Sequence, residues 1–154
     1  MNRNGKVPTL ALEDVRYLAE SNAILLYLAE GTGFLPSDPW QRSKVHEWLF
    51  FEQYSHEPNI ATPRFWKNYL RVGEYDEREL KRRQQAGRDA LGVMERHLRA
   101  NEFFGGQYGI ADIALYAYTH KAHEGGQILS DFPAIEAWLT RVRVQPGHVT
   151  MEVV

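Results

Sequence analysis

One run of helical periodicity constrains this chain more than any other feature. Over residues 76–98, Leu80, Gln84, Gly87, Leu91, Met94 and Leu98 recur at steps of three and four, and most charges fall on other faces. That spacing specifies an amphipathic helix of about six turns, which is stable only against other helices. Shorter stretches carry the same period. Val45, Trp48, Leu49, Glu52 and Gln53 follow Asp38-Pro39-Trp40, residues 110–123 are mostly small and aromatic, and Ile135, Trp138, Leu139 and Val142 follow Phe132-Pro133. The fold class is therefore mainly α.

The breaks between these stretches are also marked. Pro39 suits a first helical turn. Pro58 and Pro63 predict a break, with a helix resuming over residues 64–70. Residues 72–75 and 101–107 are loops, and Phe103-Phe104 in the second is expected to reach back to the core. Gly125-Gly126 ends the helix over 110–123, and Gln145-Pro146-Gly147 ends the last one.

The N-terminal part has a different pattern. Residues 7–12 and 16–18 read as two short strands around a turn at Glu13-Asp14, hence a hairpin. A helix over residues 20–30 follows, with Gly31 suited to a left-handed stop, and residues 34–39 form a linker with two prolines. Pro8 permits a cis bond after Val7 and lacks an N–H. A cis bond there leaves the Val7 backbone free to pair with an extended peptide. Glu20 and Ser21 stand at a helix start, where unpaired N–H groups attract carboxylates and phosphates. Taken singly, Pro8 is an ordinary strand-start proline and Ser21 a helix cap; together they outline a corner for a small, extended anion.

Composition narrows the chemistry. The chain has 154 residues, 44% hydrophobic and 25% charged, with a formal net charge of −2. That balance gives no general attraction to nucleic acid or acidic membranes. No cysteine is present, so this chain has no disulfide, thiolate metal site or cysteine nucleophile of its own. The absence of cysteine fits a cytoplasmic location. The longest apolar stretch, residues 23–29, is too short to cross a bilayer.

Other candidates are weaker. His120, His123 and Glu124 have the spacing of a helical metal face, but histidines near a helix end favour a surface cluster, and no metal is expected. Lys81-Arg82-Arg83 beside Glu77 and Glu79 is a solvated face. Asp112, in the first turn of an apolar helix, has a structural use: its carboxylate accepts from the N–H three residues earlier. Ser21 has no base at a recognisable spacing, and no phosphate loop, nucleophile elbow or paired-carboxylate motif appears.

The segment Asn4-Gly5-Lys6-Val7-Pro8-Thr9-Leu10, followed by residues 18–28 (Leu-Ala-Glu-Ser-Asn-Ala-Ile-Leu-Leu-Tyr-Leu), resembles the second half of the glutathione-binding domain of the glutathione S-transferases. Tyr108-Gly109-Ile110-Ala111-Asp112-Ile113 is similar to the helix-start motif of that family's helical domain, except that Gly109 replaces a serine or threonine. The resemblance implies residues 1–31 as part of a thioredoxin-like domain (β-β-α), 32–39 as a linker, and 40–154 as the helical C-terminal domain. It implies glutathione as co-substrate at Val7, Pro8, Glu20 and Ser21. It implies a pocket for a small electrophile near Phe50, Tyr54, His56 and Trp66, with Phe65 as a further apolar wall. The bland alternative for these aromatics is core or dimer packing. Asp112 is implied to be structural. A homodimer is implied for full-length relatives.

Family members carry the tyrosine, serine or cysteine that activates the glutathione sulfur in a strand–helix–strand unit ahead of the proline strand. This chain begins at Met1-Asn2-Arg3-Asn4, and no residue in it takes that role. The expectation is a truncated transferase with weak or no activity alone. The alternative is a non-catalytic binding or scaffold module.

Overall fold

The computed structural model describes residues 2–13 and 15–149. Asp14, part of the expected turn, and the tail over 150–154 lie outside the described residues.

Strands β1 (Thr9–Ala11) and β2 (Tyr17–Ala19) pair antiparallel, with Thr9 opposite Ala19 and Ala11 opposite Tyr17. The hairpin is there, but each strand has only three residues. Helix α1 (Ser21–Ala29) follows, and Gly31, at φ 74°, makes the left-handed turn after it.

Further helical segments build the bundle. Helix α2 (Pro39–Phe51) is capped by Asp38, whose carboxylate accepts from the Gln41 N–H at 2.9 Å. It runs directly into a π-helical segment (Glu52–His56) and then α3 (Glu57–Tyr69). The break expected at Pro58 and Pro63 does not occur. Pro58 stands in the first turn of α3, where its fixed φ is suited and its missing N–H costs least. Pro63 lies inside the helix and has no N–H for the Asn59 carbonyl four residues back. Helix α4 (Glu77–Leu98) packs against that point through Gly87, where an added Cβ would lie 2.6 Å from the Asn59 oxygen.

Helix α5 (Ile110–Thr119) is central, with Ile110, Ala111, Ala114 and Leu115 buried. It stops earlier than residue 123, and a 3-10 turn at Ala122–Gly125 continues the chain. Helix α6 (Pro133–Arg143) closes the bundle with Ile135, Trp138, Leu139 and Val142 inward. Its first N–H groups, on Ala134 and Ile135, donate to the buried Glu95 carboxylate of α4 at 3.0 and 3.1 Å. The stripe predicted for α4 is the face that is buried, with Leu91 and Met94 at its centre. Phe104 reaches the core as expected, 4.5 Å from the Trp48 ring and 5.2 Å from Trp138.

Asp112 ties these parts together. It is fully buried and accepts from Trp138 Nε1 at 2.9 Å, Phe104 N at 3.2 Å and Gly109 N at 3.2 Å. One carboxylate thus joins the start of α5, the preceding loop and α6. Gly109 has no side chain to return the bond. Its place is set by packing: an added Cβ would lie 2.6 Å from the Phe34 carbonyl oxygen, which instead accepts from the Ile110 N–H at 3.1 Å.

Candidate functional site

A cavity of about 620 Å³ opens between the segment leading into β1, the start of α1, the π-segment with the first residue of α3, and α5. Val7, Pro8, Glu20 and Ser21 all line it, so the four residues of the sequence-predicted corner are brought together.

Each is presented by its backbone. The Val7–Pro8 bond is cis. Val7 is 92% exposed, and among the described residues its N–H and C=O make no hydrogen bond. Glu20 has φ 70° and ψ 117°, a left-side conformation that costs a non-glycine residue about 1–3 kcal/mol and concentrates at ligand-binding positions. Glu20 then starts α1 without a side-chain cap. Its carbonyl accepts from Ile24 N at 2.9 Å, so the N–H groups of Ser21, Asn22 and Ala23 precede the first intrahelical bond. A strained entry, an uncapped helix start and a serine hydroxyl converge on the cavity.

Three further residues hold or charge this corner, and none was evident from spacing. Lys6 lines the cavity beside Val7 and adds an ammonium group. Asn22 donates from Nδ2 to the Leu49 carbonyl at 3.0 Å and to Glu52 Oε2 at 2.9 Å. That pair of bonds docks the first turn of α1 onto the end of α2. Glu52 itself is 3% exposed and accepts from Gln53 Nε2 at 2.8 Å as well. The tell-tale signal in the sequence was Asn22 beside Ser21, but its partner lies thirty residues away.

The opposite wall comes from the π-segment (Glu52, Gln53), the first residue of α3 (Glu57) and α5 (Ile113, Ala117, Tyr118). Burial pushes the Glu52 carboxyl up from its usual range, against the Gln53 and Asn22 donors, and Glu57 adds to the rise. Burial pushes Glu57 up too, against the field of Arg83. The Tyr118 phenol is raised by burial and then by Glu57 and Glu52. It keeps its proton at neutral pH and can donate a hydrogen bond.

The four residues expected around an electrophile lie outside this cavity. His56 is turned into the core, where Nε2 meets Thr119 Oγ1 at 2.8 Å. The Thr119 hydroxyl donates to the Leu115 carbonyl at 2.6 Å, so His56 carries its proton on Nε2. Burial pushes its imidazole down to about 3. Trp66 stacks on Tyr75 at 5.8 Å and lies under the Arg83 guanidinium. Phe50 is 74% exposed. Tyr54 lines a separate groove between α3 and α4, with Phe51, Pro58 and Arg83. Phe65, the further wall residue, packs on Tyr69 at 5.4 Å. For the residues beyond Phe50 the π-segment contributes: one wider turn rotates every later side chain relative to a continuous α-helix.

The expected surface cluster has its own partners. His120 Nδ1 meets the Tyr116 carbonyl at 2.8 Å, and Glu124 pairs with Arg64 at 2.6 Å. Among the described residues no group of three or more potential ligands is placed to hold a metal ion, and no helix is long and apolar enough to cross a membrane.

Comparison with known proteins gives a consistent picture. Residues 77–141 match the family model described as glutathione S-transferase, C-terminal domain. The chain is 30% identical to the disulfide-bond oxidoreductase YfcG of Escherichia coli K12 over 140 residues, covering 84% of this chain and 60% of the relative. It is 30% identical to glutathione S-transferase 2 of Anopheles gambiae over 157 residues, covering 96% of this chain and 71% of the relative. It thus spans less than two thirds of YfcG, and 45% of a second Escherichia coli oxidoreductase, YghU. A solved glutathione S-transferase from Pseudomonas fluorescens superposes with a TM-score of 0.93 at 52% identity, covering 97% of this chain and 75% of that one. The bundle, the hairpin corner and these likenesses agree: the chain belongs to the glutathione S-transferase family.

Proposed function

We propose that the cavity binds glutathione and that the chain contributes this side of a glutathione-dependent transferase site. The observation that carries the reading is the uncapped, strained start of α1 at Glu20-Ser21, facing the same cavity as the unpaired backbone of Val7. The γ-glutamyl carboxylate is met by the N–H groups and hydroxyl at Ser21 together with Glu20. The cysteinyl backbone pairs with the Val7 N–H and C=O in the manner of an added strand, with Pro8 fixing the turn. Lys6 offers an ammonium to a carboxylate. Solved relatives bound to S-hexylglutathione and to a glutathionyl-dinitrobenzene conjugate, each at 24% identity, share this fold.

In such a site the thiolate of glutathione attacks an electrophilic carbon, forming a thioether and expelling the leaving group. The apolar wall of Ile113, Ala114 and Ala117 receives the electrophile, and the Tyr118 phenol donates a hydrogen bond to it. A second reading has a specific support: two relatives are named disulfide-bond oxidoreductases. There the same thiolate attacks a disulfide sulfur and releases the other half as a thiolate. With no cysteine in this chain, the sulfur on this side of the site is glutathione's. The family resemblance further supports a homodimer, with exposed Phe50 and Tyr54 (87% exposed) as contacts, and a cytoplasmic location.

Amide NMR of the labelled chain tests the binding step. Glutathione is expected to shift the Val7, Ser21, Asn22 and Ala23 amides; shifts confined to other residues overturn the assignment. Turnover with an aryl halide against a mixed disulfide then separates the two chemistries.

A further inference from the structure

We infer that His56 is a positioning residue for the second substrate: its bond to Thr119 fixes the far end of the π-segment against α5, and so sets the spacing of the wall that meets the electrophile or disulfide. This rests on the glutathione reading above. The π-segment is fastened at both ends. At its first residue, Glu52 Oε2 accepts from Asn22 at 2.9 Å, which ties it to α1 and the glutathione corner. At its last residue, His56 Nε2 donates to Thr119 Oγ1 at 2.8 Å, which ties it to the last residue of α5. The Thr119 hydroxyl donates in turn to the Leu115 carbonyl at 2.6 Å, so the brace continues into the α5 backbone. Among the described residues no other side-chain hydrogen bond joins the π-segment to α5.

The brace lies directly behind the cavity wall. Glu57 follows His56 in the chain and Tyr118 precedes Thr119, and both of these neighbours line the cavity. A shift at the brace is therefore carried to each of them through one peptide bond. Packing alone does not call for this pair. Two apolar side chains of the same shape would join the helices as well, because they desolvate no polar group. Here both partners are fully buried, and the other ring nitrogen of His56, Nδ1, has no donor among the described residues. That cost falls at the end of a π turn, itself a distortion frequent at functional sites. What the pair adds is direction: a hydrogen bond fixes a distance and an angle where apolar side chains slide.

The test is calorimetric titration of the full chain, and of the double variant His56→Leu with Thr119→Val, using glutathione and S-hexylglutathione. Removing both partners leaves no half of the bond unpaired, so the double variant is expected to fold. The native chain is expected to bind S-hexylglutathione about tenfold more tightly than glutathione, the worth of a partly buried hexyl tail on the wall. The double variant is expected to lose most of that preference while its glutathione affinity changes less than about twofold. Thr119→Ser keeps the hydroxyl and is expected to retain the preference. A full preference in the folded double variant overturns the inference, and the pair is then structural only. Equal weakening of both ligands overturns it as well, because the brace then serves the corner. Equal binding of the two ligands by the native chain overturns it and leaves the glutathione corner standing. If the double variant does not fold, NMR of the native chain decides: the His56 ring N–H resonance is expected to shift with S-hexylglutathione and not with glutathione, and no such shift overturns the inference. If neither ligand binds the native chain, the glutathione reading fails and the inference with it.

Discussion

At the scale of single residues, Asp112 and Gly109 show local rules being overruled by packing. A carboxylate that accepts three buried N–H bonds leaves three donors unpaired when removed. Asp112→Ala is expected to lower unfolding free energy by about 3 kcal/mol or more, read by urea titration. Cap statistics alone favour serine over glycine at position 109. The Phe34 carbonyl stands 2.6 Å from where a Cβ would be, so Gly109→Ser is expected to lower the melting temperature despite the added hydroxyl. An unchanged or higher value would show that the linker yields.

Asp112 and His56 also give the chain opposing pH dependences. Burial pushes Asp112 from 3.8 up to about 6, against its three donors. The folded state then holds a proton that the unfolded state has lost, so this contribution is full below 3.8 and disappears as pH rises through about 6. Burial takes His56 from 6.5 down to about 3. Its contribution is full above 6.5 and is lost as pH falls toward 3. Relative to the native chain, His56→Gln should therefore gain stability as pH falls from 6.5, by up to about 1.4 kcal/mol per pH unit. Asp112→Asn should gain relative stability as pH rises from 4 to 6. Parallel stability profiles for native chain and variants would contradict both assignments.

At the scale of elements, the α2–π–α3 run decides what the cavity sees. Asn22 fastens α1 to it, and the register shift after Phe51 sends His56 inward and Glu57 toward the cavity. Asn22→Ala removes the bonds to Leu49 in α2 and to Glu52 in the π-segment and is expected to weaken glutathione binding about tenfold. Global unfolding should change less, because the core around Leu91, Leu115 and Trp138 does not include Asn22. A variant with native affinity would show that Ser21 is positioned without this clamp. The same run explains the limits of the sequence reading. The stripe on α4 and the helix start at Asp38-Pro39 are local, so spacing reveals them. A π turn has no residue signature of its own. Spacing through Glu52–His56 therefore does not show which side chains face the cavity, and two prolines that look like breakers are absorbed.

At the scale of the molecule, the corner of Val7, Pro8, Glu20 and Ser21 was legible because its parts lie within fifteen residues and each has a backbone reason to be there. The facing wall was not legible, since Glu52, Ile113 and Tyr118 meet only through the packing of α1 on α2 and α5. The central claim is that this corner, as folded here, recognises glutathione. The measurement that tests it most directly is calorimetric titration of the folded chain with glutathione, beside Ser21→Ala. Binding that weakens about tenfold in the variant is the predicted result, the loss of one hydrogen bond to a charged carboxylate. No heat of binding from a chain with native melting behaviour, or equal affinity in both proteins, would contradict it.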